Sequence, residues 1–211
     1  MNQKIAFALT LYLVSLIASN TLGIKLMPFL FGTHLSVAIF AFPIVFLMTD
    51  VIGEVYGKQM SRLFVRMGIY CNIIFLLFNV ITNLMPSSPD FFMKEAYGQI
   101  FGLSARFAIA SLVAFAIGEY QDVFSFFFLR AKLGGKYFWL RSNLSNLWGQ
   151  LIDSAIFSLL AFAGIYPLKT IIMIIIPWWL FKFAMGVAYT PLSYLGIWLL
   201  RRGEKGNEQI K

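Results

Sequence analysis

Six ionisable side chains stand where a chain this apolar has least reason to place them. Asp50 and Glu54 are four residues apart, Glu119 and Asp122 are three apart, and Asp153 and Lys182 each interrupt a long apolar run. Those spacings put both members of a pair on one face of a helix. Asn143, Asn146, Gln150 and Asp153 keep the same helical period and draw a continuous polar stripe along one otherwise apolar segment. A charged side chain at the centre of a bilayer costs about 2.5–3.5 kcal/mol on insertion scales. None of these groups is therefore expected to face lipid. Five acids against one deep lysine leave a surplus of negative charge, which a proton, a metal ion or a hydrogen-bonding solute must balance.

The elements that position them are membrane helices. Of 211 residues, 60% are hydrophobic and 12% charged, against about a quarter charged in soluble domains. Six apolar segments approach the ~20 residues that a transmembrane helix needs: roughly 5–24, 35–56, 67–85, 104–129, 142–163 and 170–199. The expected fold is all-α, a single transmembrane domain over 1–211 with a short basic tail at 201–211. The first segment follows Lys4 like a signal peptide, but no small-residue cleavage motif follows it, so it is taken as a span. Strand-like alternation is absent from the long runs, which argues against a barrel.

The net charge of +8 does not point to nucleic acid, because the basic residues fall in short clusters between apolar runs. Lys4, then Lys58, Arg62 and Arg66, then Arg130, Lys132, Lys136 and Arg141, then Arg201, Arg202, Lys205 and Lys211 fall on one side. Lys25, Lys94, Arg106 and Lys169 fall on the other. This bias puts both termini in the cytoplasm. The longest loop, 86–103, lies outside and can hold a short interfacial helix, and 26–32 can form a short lid.

At 1.5 Å per residue, Asp50 lies about 10 Å above Gly57, Asp122 about 12 Å above Arg130, and Asp153 about 18 Å above Arg141. Three helices thus bring carboxylates to similar depth, and the expectation is a polar cavity near mid-membrane that they line. Glu54 is close enough to water to snorkel or cap. "PWW" at 177–179 suits packing better than a ligand box. Gly53 with Gly57, and Ala184 with Ala188, offer small-residue surfaces for a homo-oligomer.

Other chemistry is thinly supported. "GEVYGK" at 53–58 is one residue short of a phosphate loop and lacks its Ser or Thr. Cys71 is the lone cysteine and His34 the lone histidine, so neither a disulfide nor a histidine-based metal site is expected, and no cofactor. Two aspartates on facing helices could serve a membrane-embedded aspartyl hydrolase, although no G-x-G-D surrounds them. A substrate-binding or assembly subunit of a larger membrane complex is a further alternative.

"SN" at 19–20, "FPIVFLMTDVIGEVYGK" at 42–58, "ARFAIASLVAF" at 105–115, "QDV" at 121–123, "SNLSNLWGQLIDS" at 142–154 and the deep Lys182 together resemble the queuosine precursor transporter family. The resemblance covers nearly the whole chain. It implies a six-helix bundle similar to the substrate-binding subunits of energy-coupling-factor vitamin transporters. It also implies inner-membrane uptake of 7-cyano- or 7-aminomethyl-7-deazaguanine, without enzymatic activity. Some members of the family carry Gln where this chain has Glu119. On this basis Glu119, Asp122, Gln150 and Asp153 are expected to read the base. Asp50 and Lys182 are expected to form a charge pair or coupling switch, with Asn20 and Asn146 as polar wall.

Overall fold

The computed structural model describes residues 3–22, 25–28, 34–101, 105–134 and 136–202. Much of the 26–32 segment, the tail beyond 202 and the side chains of His34 and Arg106 lie outside the described residues. Seven α-helices account for most of the rest: α1 (Gln3–Leu22), α2 (Phe42–Tyr56), α3 (Lys58–Leu84), α4 (Lys94–Phe101), α5 (Ala105–Leu133), α6 (Phe138–Phe162) and α7 (Leu168–Arg201). Between α1 and α2, β1 (Leu26–Pro28) pairs antiparallel with β2 (His34–Ser36), and a 3-10 turn follows at Val37–Phe40.

Two boundaries differ from the sequence expectation for identifiable reasons. The segment expected to be helical from residue 35 becomes α-helical only at Phe42. Pro43 sits in the first turn of α2, where its missing N–H has no intrahelical partner to lose. In turn, α3 begins at Lys58 rather than near 67. Arg62 and Arg66 are exposed on its first turns instead of in a loop. A single residue, Gly57, separates α2 from α3, with φ 84° and ψ 176°. Its N–H closes α2 on the Gly53 carbonyl at 3.1 Å, and its own carbonyl accepts the first bonds of α3. Nothing crowds a Cβ there, so the constraint is the backbone alone. Gly57→Ala should cost about 1–3 kcal/mol from that conformation. It should appear as a lower melting temperature in detergent with no change in ligand affinity; an unchanged midpoint would refute the strain.

By length and composition, α1, α3, the 109–133 part of α5, and α7 can each cross a membrane. The other two expected spans do not qualify on those grounds. α2 has 15 residues, about 22 Å against a hydrocarbon core of about 30 Å. α6 is long enough at 25 residues but buries Ser142, Asn143, Ser145, Asn146, Gln150, Asp153, Ser154 and Ser158. Both are inner helices of the bundle. α2 packs on α1, α3, α5, α6 and α7, and α6 lies mainly between α5 and α7. α4 is the short helix expected in the long loop.

The closest helix contact is α5 on α6. A Cβ placed on Gly118 would meet the Asp153 Cβ at 3.0 Å, and one on Gly149 would meet the Asp122 Cβ at 3.0 Å. The two glycines let the backbones approach, and that approach carries Glu119 and Asp122 against the polar stripe of α6. Gly53, expected as an outer packing surface, is consumed internally against Ser61 and Phe127.

Candidate functional site

Polar side chains stack in layers down the interior, and the basic end of the bundle closes them off. There Glu54 of α2 meets three arginines from three helices. Its Oε2 lies 3.0 Å from Arg141 Nη2 and 3.5 Å from Arg130 Nη1, and its Oε1 lies 3.7 Å from Arg201 Nη2. Arg130 also donates to the Gly53 carbonyl at 2.9 Å. Arg141 is wholly buried, its guanidinium 5.1 Å from the Phe126 ring centre and 6.0 Å from that of Phe138. Glu54 is thus an internal hub, not a snorkelling or capping group, the other role its position allowed. Lys4 Nζ donates to the Leu199 carbonyl at 2.6 Å, which ties the start of α1 to the end of α7 at this same end.

One turn further in, Asp50 accepts from Ser142 Oγ and, at 3.3 Å, from Asn146 Nδ2. Asn143 bridges α6 to α7 through Thr190 Oγ1 at 3.1 Å. Glu119 and Asp122 lie beside this layer from α5, both wholly buried. Tyr12 of α1 points its hydroxyl at Glu119, and the Ser145 hydroxyl lies towards Asp122. Neither contact completes a hydrogen bond to the carboxyl oxygens among the described residues.

A small cleft opens between α2, α6 and α7. Phe42, Pro43, Phe46 and Leu47 form one wall, Asn146 and Gln150 another, and Lys182, Met185 and Gly186 the third. Lys182 reaches Asp153 Oδ2 at 2.7 Å and lies 4.9 Å from the Phe42 ring centre. The Gln150 carbonyl oxygen is buried with no hydrogen-bond partner among the described residues. Behind the cleft, Trp179 Nε1 donates to the Leu147 carbonyl at 2.8 Å, the structural role expected for "PWW".

Several expected residues are brought together, and several are not. Asn146, Gln150 and Lys182 line the cleft. Asp153 stands next to it, held by Lys182. Asp50 and Asp122 converge as the depth arithmetic implied, with Glu119 beside them, but all three pack behind the cleft instead of lining it, where the Gly118–Gly149 approach brings α5 onto α6. Lys182 pairs with Asp153, not Asp50; Asp50 is held by Ser142 and Asn146. Asn20 is not cleft wall. It donates to Asn72 Oδ1 at 2.8 Å in the contact between α1 and α3.

Sequence reasoning missed the aromatic wall and Arg141. Phe42 and Phe46 share a helix face at i, i+4, a signal lost among 23 phenylalanines. Arg141 directly precedes the polar stripe, yet its charge fits a topology signal equally well.

The fold and site are those of a multi-pass helical bundle with a mostly apolar cleft between three helices, into which Asn146, Gln150 and Lys182 bring the polar groups. A family model described as "Putative vitamin uptake transporter" matches residues 36–196. A "Probable queuosine precursor transporter" of Bacillus subtilis (strain 168) is 31% identical over 84% of this chain and 78% of its own. The "Queuosine precursor transporter" of Escherichia coli (strain K12) is 28% identical over 75% of this chain and 69% of its own. A "Probable queuosine precursor transporter" of Haemophilus influenzae (strain ATCC 51907 / DSM 11121 / KW20 / Rd) is 26% identical over 75% and 61%. No solved structure gives a significant match. The chain belongs to the queuosine precursor transporter family, and is a multi-pass membrane transporter rather than an enzyme. That membership sets aside the aspartyl hydrolase.

Proposed function

We propose that this protein imports a queuosine precursor, 7-cyano- or 7-aminomethyl-7-deazaguanine, by binding the base in the cleft between α2, α6 and α7. The observation that carries this is the Gln150 carbonyl oxygen, buried at the cleft wall and without a partner. A buried acceptor left unpaired is costly, and a guanine-like edge offers N1–H and an exocyclic amine to fill it. Asn146 is the neighbouring amide for the remaining edge, and Phe42 and Phe46 provide flat apolar surface for the ring. Lys182 can donate to a nitrile, while Asp153 can pair with a cationic aminomethyl group.

Six helices, α1, α2, α3, α5, α6 and α7, then span the inner membrane as one domain similar to the vitamin-binding subunits. The end that gathers Lys4, Arg130, Arg141 and Arg201 faces the cytoplasm. Ala184 and Ala188 remain exposed on α7 and keep a small-residue surface for a second copy.

Purified protein should be thermally stabilised by the two 7-deazaguanines, by about 2.7 kcal/mol at a hundredfold excess over Kd. Adenine, whose edge exchanges donor for acceptor, should leave the midpoint unmoved. Equal shifts with adenine, or none with either deazaguanine, would defeat the assignment.

A further inference from the structure

We infer that Glu119 and Asp122, together with Asp50, form a proton-binding site that couples uptake to the proton gradient. Both α5 carboxyls are wholly buried. Neither oxygen of either group has a hydrogen-bond partner among the described residues, and Asp50 Oδ1 has none. Tyr12, equally buried and with its hydroxyl also unpartnered, is aimed at Glu119 from α1.

The charged and titratable neighbours can be named helix by helix. α1 brings Tyr12, and Cys71 of α3 and Tyr120 of α5 lie towards that tyrosine. α2 brings Asp50, which faces Asp122 and Glu119. α6 brings Asp153 towards Glu119 and Arg141 towards Asp50. α7 brings Lys182 beyond Asp153. Arg141 is also paired with Glu54, and Lys182 with Asp153. The charges that bear on Glu119 are the carboxylates of Asp122 and Asp153.

A buried carboxylate without a counter-charge is among the least tolerated groups in a protein interior. A metal ion would need several oxygens converging on one point. Among the described residues no three acidic, histidine or cysteine side chains are arranged to hold one. A proton needs a single oxygen: carboxylate plus proton gives carboxylic acid, the proton arriving from outside water and leaving to the cytoplasm. The link to the solute is Asn146. Its amide bonds Asp50 Oδ2 while the same side chain lines the cleft. A base that engages Asn146 competes with that bond and alters the charge held one helix away.

Two measurements test this. Infrared difference spectroscopy of the purified protein at neutral pH, without solute, should show carboxylic-acid carbonyl bands that disappear in Glu119→Gln and Asp122→Asn. Absence of such bands in the unmodified protein would overturn the site, whether or not the variants fold. The second measurement rests on the proposed substrate. In proteoliposomes, an inward proton gradient should raise accumulation of labelled 7-cyano-7-deazaguanine at least tenfold, a sodium gradient should not, and the Glu119→Gln/Asp122→Asn protein should lose the proton response. A sodium response, no gradient response, or an undiminished proton response in the double variant would overturn the coupling. Acid bands without any uptake of the deazaguanine would leave the proton site standing and overturn the substrate assignment alone.

Discussion

Replacing Glu54 with glutamine should lower the melting temperature of the purified protein by on the order of 10 °C, the consequence of removing the carboxylate partner of a buried arginine at about 3–5 kcal/mol. Arg141 has no exposed surface, and its Nη2 meets Glu54 at 3.0 Å. Glutamine preserves the shape at position 54 but removes the charge that Arg130, Arg141 and Arg201 share. The three arginines would then repel one another without a shared counter-charge, with Arg141 the one cut off from water. Arg201 provides the control. Its side chain is 57% exposed and 3.7 Å from Glu54, so Arg201→Ala should cost at most about 1 kcal/mol. Differential scanning fluorimetry in one detergent compares the two. Midpoint losses of similar size would show that Glu54 is not the hub.

Gln150→Leu should separate function from stability in the opposite sense. Gln150 Oε1 makes no hydrogen bond among the described residues, so leucine removes nothing that holds the helices together, and the melting temperature should move little. The proposed substrate, however, would lose its acceptor. Its donors would be buried against a methyl group at about 1–3 kcal/mol, or roughly 10–100-fold in Kd. Whole-cell uptake of labelled precursor and thermal-shift titration should fall together by that factor. Uptake within twofold of the parent chain would remove Gln150 from the site. Asn146→Leu is a less clean probe, because it also releases Asp50 Oδ2 from one of its two donors.

These two residues also mark how far the sequence alone was legible. Helix periodicity and rise are local quantities, and they served well for α6. The stripe Asn143, Asn146, Gln150 and Asp153 is buried as one face, and the 1.5 Å rise set Asp50 and Asp122 at matching depths. Partner choice is not local. Lys182 took Asp153 rather than Asp50 because of how α7 lies along α6. Glu54 found three arginines only because α5, α6 and α7 all present their basic ends beside α2. Neither the tight approach at Gly118 and Gly149 nor the sealing of Glu119 and Asp122 that follows from it is encoded in any spacing along one helix. Phe42 and Phe46 went unnoticed because an aromatic cleft wall and an aromatic lipid face have the same composition.

The polar stripe of α6 bears on how the chain is made. A membrane protein is delivered to lipid progressively, and a segment partitions by the side chains that it shows at that moment. Alone, α6 would expose Asn143, Asn146, Gln150 and Asp153 to acyl chains, at a penalty its leucines and phenylalanines do not clearly overcome. The Gly118–Gly149 contact lets α5 shelter one flank as soon as α6 emerges, and Asp153 then waits for Lys182 on α7. On the proposed six-span arrangement, a nascent chain halted before Lys182 would hold Asp153 without the lysine that it pairs with in the folded protein.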